Sequence, residues 1–334
     1  MRRQHSVTTY YTITVDTEEE WDWSSDFLTT SNSVQNISAL PEFQSACESQ
    51  GAKVTYFVNH SVLADQKASE TIVDLAKNES VEIGYHIHPW NTPPLATNET
   101  VATRESFLHN LPQEQALAKL DSVFEAFRRL DLHPTSFRGG RYSTSSWIQS
   151  HLRANGIIAD ASILPFTTWV DDGSPDFRER DLEPVRKTYG DNESPLWEIP
   201  LTLGFTRRPW HLWRKLFELG ECSPLRQLKL NAITERLLAK RVWLNLEHPL
   251  GESSGVLLNK LRDASLPCIN FTLHSSSLVP GMNPYTRTSA NLAQLYDRLK
   301  QVTDLLNQWD DFIPATVSEV SRSLEASYLA RSGN

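Results

Sequence analysis

The chain has 334 residues and a formal net charge of −9 at pH 7, with 39% hydrophobic and 22% charged residues. This composition is that of an ordinary globular protein, and the length suffices for two average domains or one large α/β barrel. The acidic balance argues against a nucleic-acid partner, because a general nucleic-acid binder presents a net basic face.

The N-terminus reads MRRQHSVTTYYTITV and continues, after its two arginines, with polar and β-prone residues instead of an apolar signal sequence. No apolar run reaches the roughly 18 residues that a membrane-spanning helix requires. We therefore expect no transmembrane segment and a cytoplasmic location.

Short apolar strands alternate with amphipathic helices along the chain. Periodicity predicts strands at 10–15, 53–58, 80–88, 134–140, 157–163, 196–201, 241–248 and 269–278, and helices at 41–50, 67–77, 113–130, 145–156 and 288–307. Such alternation is typical of an α/β protein with a parallel sheet or barrel. Because no repeat or linker interrupts the pattern, a single domain over 1–334 is expected.

One segment differs from the rest in charge. Residues 207–241 contain nine Lys or Arg against three Glu and are predicted to form two helices, 209–220 and 224–241. We interpret the segment as a basic helical insertion that packs on the barrel. Its local charge also makes it a candidate contact surface for a peripheral anionic partner, such as a polymer or lipid headgroup.

Ionisable residues stand at the ends of five predicted strands. In α/β barrels the active residues lie at the carboxyl ends of the strands, where these side chains would converge. They are Asp16, Glu18, His86, His88, Arg138, Asp160 and His274.

Spacing within two of these strands suggests a metal site. Residues i and i+2 of a strand share a face, so Asp16 lies beside Glu18, and His86 beside His88. Two imidazoles and one carboxylate suit a catalytic divalent cation, with zinc favoured over manganese, cobalt or nickel. The second carboxylate is then free to act as a base.

The ordered motifs TVDTEEEW, VEIGYHIHPW, SFRGGRYS, ADASILP and FTLHSSSLVPGMNPY resemble those of the polysaccharide deacetylase (NodB-homology) family, which are carbohydrate esterases. The resemblance spans roughly residues 10–320. The last motif resembles a bacterial branch of that family associated with polysaccharide biosynthesis. The resemblance implies a deformed (β/α) barrel of the NodB-homology type and metal-dependent removal of N- or O-acetyl groups from a sugar or polysaccharide.

The resemblance also implies roles for individual residues. Asp16 matches the catalytic base and Arg138 its partner, while His274 matches the general acid and Asp160 the carboxylate that tunes it. Glu18 and His86 match metal ligands, and His88 is the third candidate. Tyr142 lies where the family offers a backbone N–H to the oxyanion, and Trp90 and Trp169 are candidate surfaces for stacking a sugar.

The chain departs from the common family pattern in two places. The histidines are spaced HxH instead of HxxxH, and the first motif lacks the adjacent aspartate pair. Two alternatives therefore stay open: an amidohydrolase-type enzyme that acts on a small C–N substrate, and a barrel that binds a glycan without catalysis.

Overall fold

The computed structural model describes residues 8–20, 26–30, 32–189, 194–221 and 238–332. Its strands are β1 Thr9–Thr17, β2 Phe27–Leu28, β3 Val54–Val58, β4 Val81–Ile87, β5 Thr100–Val101, β6 Ser136–Gly139, β7 Ala159–Asp160, β8 Val185–Lys187, β9 Leu196–Glu198, β10 Leu203–Phe205, β11 Arg241–Trp243, β12 Cys268–His274 and β13 Phe312–Pro314. Its helices are α1 Leu40–Ser49, α2 His60–Ala64, α3 Gln66–Leu75, α4 Gln113–Arg129, α5 Ser146–Ala154, α6 Trp210–Glu221, α7 Glu252–Asp263, α8 Ser289–Leu306 and α9 Val317–Ser332.

The main sheet curls into a half-barrel surrounded by helices, as the α/β pattern predicts. Its strand order is β12-β1-β3-β4-β6-β7-β9-β8, and β13 pairs with the start of β1. Every pairing in this sheet is parallel except that of β8 with β9. The carboxyl ends of the parallel strands therefore gather at one mouth.

The local sequence explains why these elements form. Strand β1 consists almost entirely of β-branched and aromatic residues, and it is buried because strands cover both of its edges and helices its outer face. Several helices begin at a residue whose side chain accepts a backbone N–H, including Asp65 before α3, Ser145 before α5 and Thr288 before α8.

The structure corrects some predicted elements. The helix predicted at 288–307 is present as α8, and it is followed by β13 and α9, two elements that the sequence did not predict. The strand predicted at 241–248 is shorter, since β11 pairs only with β10. The first insertion helix is α6; the second, predicted at 224–241, falls largely outside the described residues, and its last residue, Arg241, begins β11.

No helix within the described ranges is both long and apolar enough to cross a bilayer.

Candidate active site

A cavity of about 320 Å³ opens where the parallel strands end. It is lined by Asp16, Glu18, His86, His88, Trp90, Phe107, Arg141, Tyr142, Trp169, Asp172 and His274. These include all the predicted site residues except Arg138 and Asp160. Its volume is at the lower end of the range for small-ligand cavities, about 300–1,000 Å³.

The three predicted metal ligands meet in this cavity. The Oε2 atom of Glu18 lies 3.2 Å from Nε2 of His86 and 3.1 Å from Nε2 of His88. The two Nε2 atoms are 3.2 Å apart. All three side chains are buried and could together hold a metal ion. Strand β4 ends at Ile87, so the two histidines flank its carboxyl end.

Both imidazoles are oriented through their Nδ1 atoms. Nδ1 of His86 lies 2.7 Å from the carbonyl oxygen of Arg138, which can only accept, so this nitrogen donates. Nδ1 of His88 lies 2.7 Å from Oε1 of Glu19, a fully buried carboxylate. In its neutral form, each ring would therefore present the lone pair of Nε2 to the cavity, as metal-ligating histidines do. We did not predict Glu19, because strand alternation places it opposite Glu18.

The spacing of the donor atoms fits a metal ion. Bonds of about 2.0–2.2 Å to zinc place tetrahedral ligand atoms about 3.3–3.6 Å apart. The observed separations of 3.1–3.2 Å lie within a few tenths of an ångström of this range. Two Nε2 lone pairs and a carboxylate converging on one point could together hold a metal ion.

The charges of this cluster shift the pKa values of His88 and Glu18. Burial lowers the pKa of His88, but the Glu19 and Glu18 carboxylates outweigh burial and raise it to about 10. Burial opposes the charge of Glu18, yet His88 and His86 hold its pKa below the ordinary value. A proton on His88 and a metal ion therefore compete for the same position.

Asp16 and Arg138 form a buried ion pair beside this group. Nη1 of Arg138 donates to Oδ1 of Asp16 at 2.7 Å. The guanidinium is fully buried and also donates to the Thr14 hydroxyl at 2.9 Å and to the carbonyl oxygen of Ala161 at 3.1 Å. The second carboxylate oxygen, Oδ2 of Asp16, lies 4.0 Å from Nε2 of His274.

His274 is paired with Glu247, not with Asp160 as predicted. Nδ1 of His274 lies 3.0 Å from Oε1 of Glu247, and the backbone N–H of His274 donates to the same oxygen at 2.9 Å. Burial alone lowers the pKa of His274, but the Glu247 carboxylate outweighs it and, with Glu18 and Asp16, raises the pKa to about 10.

Asp160 lies on the other side of the sheet. Its register partner on β6 is Phe137, whose ring packs against Tyr85 in the layer beneath the helices. The carboxylate accepts from Gln149 of α5 at 2.7 Å and binds Ser162, and burial raises its pKa. The pairing of Asp160 with His274 is therefore wrong, because the two side chains point to opposite faces.

The sequence contained a signal for Glu247 that we did not use. The predicted strand RVWLNLEH carries Glu247 near its carboxyl end, the position that identified the other site residues. Residues 244–246 lie against β12: Thr272 donates its N–H to Leu244, and Leu246 donates to Thr272. This alignment brings Glu247 next to His274.

The aromatic candidates differ in exposure. Trp90 is buried and stacks on the His88 ring with centroids 4.1 Å apart. Trp169 is 43% exposed and stacks on Tyr142 with centroids 6.2 Å apart. Tyr142 follows Arg141, and both residues have positive φ angles, 61° and 52°. Such angles are uncommon outside glycine and mark a tight turn at the cavity wall.

No family model and no curated protein matches the chain. Solved structures do resemble it. A Mycobacterium smegmatis protein named a putative polysaccharide deacetylase is 14% identical, with a TM-score of 0.56 over 98% of this chain and 94% of that one. The PuuE allantoinase is 11% identical, with a TM-score of 0.54 over 97% and 92%.

A Pseudomonas aeruginosa PAO1 protein named a probable polysaccharide deacetylase is 12% identical, with a TM-score of 0.51 over 94% of this chain and 90% of that one. These likenesses cover nearly the whole chain and concern the backbone. The predicted fold is thus confirmed: the chain has the deformed (β/α) barrel of the polysaccharide deacetylase structures.

Proposed function

We propose that the protein is a metal-dependent deacetylase that removes an N- or O-linked acetyl group from a sugar or polysaccharide. One observation carries the proposal. The cavity places a buried Glu–His–His group beside two proton-transfer side chains, Asp16 and His274, each held by its own charged partner. The solved structures named polysaccharide deacetylases support a sugar substrate.

The donor set suits zinc, with manganese, cobalt and nickel as alternatives. A divalent cation held by Glu18, His86 and His88 would polarise the acetyl carbonyl and lower the pKa of water. Glu19 and the carbonyl oxygen of Arg138 keep both rings aimed for this purpose.

Asp16 acts as the general base. Arg138 fixes Oδ1 through a short ion pair, which leaves Oδ2 to face the cavity. Oδ2 takes the proton from the water that attacks the acetyl carbon. Because Arg138 is fully buried and bonded on several sides, it cannot swing away, so the carboxylate keeps its orientation.

His274 acts as the general acid. Glu247 holds the proton on Nδ1 and, against the effect of burial and together with Glu18 and Asp16, raises the pKa of the ring to about 10, so Nε2 also carries a proton at neutral pH. Nε2 gives this proton to the departing nitrogen or oxygen as its bond to the acetyl carbon breaks. The products are acetate and a free amine or hydroxyl on the sugar.

The turn at Tyr142 and the ring of Trp169 complete the proposed site. The backbone N–H of Tyr142 stabilises the negative oxygen that develops on the acetyl group. Trp169 offers a partly exposed flat face on which a sugar ring can stack. Trp90 holds the His88 ring instead, because it is buried against it.

An amidohydrolase that acts on a small C–N substrate is the second candidate, and the likeness to PuuE allantoinase favours it. The deacetylase and the amidohydrolase can be distinguished by the substrates that they hydrolyse. Purified protein is assayed for bound metal by elemental analysis, for acetate release from N- and O-acetylated sugars, and for consumption of allantoin. Allantoin hydrolysis without acetate release would reject the deacetylase.

Variants test the assigned roles. Asp16→Asn should keep its metal but lose about 10²–10⁴ in the rate of acetate release, the scale of a proton-transfer group. A barrel that only binds glycans would release no acetate at all, with metal or without. Lys67→Gln, an exposed change on α3, is the control that should leave metal content and rate unchanged.

A further inference from the structure

A second cavity, of about 480 Å³, lies beside the proposed active site. Its lining includes Lys240, Arg241, Trp243, His248, Ser253 and Ser254. We call it the Trp243 cavity. No carboxylate is present among the described residues that line it, although the chain as a whole carries a net charge of −9.

Aromatic side chains connect the Trp243 cavity to the active site. Tyr142, which lines the catalytic cavity, meets Trp243 edge to face with centroids 6.4 Å apart. Trp243 in turn lies 6.0 Å from the His248 ring. His248 directly follows Glu247, the partner of the proposed general acid. A sugar chain with one residue in the catalytic cavity could therefore continue along this aromatic wall.

The positive charges beside the Trp243 cavity indicate which group a sugar residue bound there would carry. Lys240 and Arg241 are exposed, and neither forms an ion pair within the described part of the chain. Other arginines nearby are neutralised: Arg178 pairs with Asp176 at 2.6 Å, and Arg214 with Glu179 at 2.7 Å. Among the described residues, the Arg241 guanidinium lies 5.8 Å from the centre of the Phe217 ring and has no carboxylate partner. An arginine so placed beside a cavity suits a carboxylate, which its planar fork can bind through two hydrogen bonds.

We propose that the Trp243 cavity binds a carboxylate-bearing sugar residue next to the acetylated one, so that the substrate is an acidic oligosaccharide or polysaccharide. Trp243 and His248 contact the sugar ring, and Arg241 and Lys240 bind its carboxylate. This inference rests on the proposed function and names its substrate class.

The test compares two ligands that differ only in charge. One is a heparosan tetrasaccharide, in which N-acetylglucosamine alternates with glucuronate, and the other is its carboxyl-reduced, neutral form. Calorimetry gives the Kd of each for the full chain, and the ratio of neutral to acidic Kd is the measured quantity. We expect a ratio of about ten or more at low salt, and a smaller ratio at high salt.

Substitutions locate the source of the preference. Arg241→Gln should reduce the ratio about tenfold or more, as loss of a hydrogen bond to a charged group does, and Lys240→Gln should reduce it less. Lys67→Gln removes an exposed positive charge elsewhere and should leave the ratio unchanged. Circular dichroism checks that each variant folds.

Three results would overturn the inference: a wild-type ratio near one, no binding of either tetrasaccharide, or a ratio that survives both substitutions in the cavity. Hydrolysis of 4-nitrophenyl acetate by the metal-loaded protein is measured separately. A missing hydrolysis counts against the proposed function, while the binding ratio still decides the inference.

Discussion

Replacing Glu247 with glutamine tests which carboxylate controls the proposed general acid. The substitution keeps the size of the side chain and removes its negative charge 3.0 Å from Nδ1 of His274. The glutamine carbonyl oxygen can still accept the backbone N–H of His274, which now lies 2.9 Å from Oε1. The new amide NH2 takes the place of Oε2 and cannot accept the hydrogen bond that Nδ2 of Asn245 now donates at 3.0 Å. At His274 itself the main change is electrostatic.

The magnitude follows from the geometry. Two unit charges about 3 Å apart interact by about 5 kcal/mol at an effective dielectric constant of about 20. One pKa unit corresponds to about 1.4 kcal/mol, so the charge accounts for most of the rise in the pKa of His274 from 6.5 to about 10. Without the Glu247 charge, burial still lowers the pKa of His274 and less remains to raise it, so this pKa should fall by at least about two units.

The assay is the pH dependence of kcat/KM for acetate release. The protonated ring is the active form of a general acid, so activity is lost as the pH rises through its pKa. In Glu247→Gln the alkaline limb should move to lower pH, and activity at pH 8 should fall most. Aryl acetates, whose leaving groups need little protonation, should be affected less.

Asp160→Asn is the matched comparison, because it removes another buried negative charge. Its side chain faces α5 and binds Gln149, so the alkaline limb should stay in place. The reasoning is refuted by an alkaline limb that moves in Asp160→Asn and not in Glu247→Gln. Thermal unfolding of both variants shows whether a lost signal reflects the site or the fold.

Three further outcomes follow from the metal group. Glu18→Ala should bring the metal content measured by elemental analysis close to zero while the circular dichroism spectrum is retained. Zinc affinity, measured against a competing chelator, should weaken as the pH falls from 8.5 to 6.5, because the metal must displace the proton that His88 holds with a pKa of about 10. In Gly140→Ala the new methyl group would lie 2.4 Å from Cδ2 of His88. The metal content should therefore drop, and chemical denaturation should show that the free energy of unfolding falls by about 1–3 kcal/mol. Gly255→Ala, whose methyl group meets open space, is the control and should change neither quantity.

Strand-end reasoning found most of the site because the sheet is parallel. Each strand delivers the residues at its carboxyl end to the same mouth, whatever the order of the strands. Two register pairs then bring predicted residues side by side: Asp16 with His274, and His86 with Arg138. The sequence alone could predict the ends of these strands, since their apolar runs are long and clearly bounded.

The pairing of Asp160 with His274 was predicted incorrectly because strand ends alone do not show how a strand aligns with its neighbours. Strand β7 is only two residues long, and one position decides whether a side chain enters the barrel or faces the helices. Asp160 aligns with Phe137, not with the inward-facing Arg138. Neither the short strand nor its neighbours contain a pattern from which this alignment could be read.

The pairing of each ionisable group explains how opposite roles can coexist in one small cavity. Asp16 has Arg138, while His274 has Glu247. A carboxylate or imidazolium that is buried without a partner becomes neutral, because no nearby charge compensates for the loss of its hydration. With separate partners, the carboxylate of Asp16 is held by a cation, and His274 keeps its proton at neutral pH because its pKa is raised to about 10. Exchanging the two roles would require moving a buried charge, and removing either partner from such a pair typically costs about 3–5 kcal/mol. The direction of proton transfer is therefore fixed by side chains that do not themselves line the cavity.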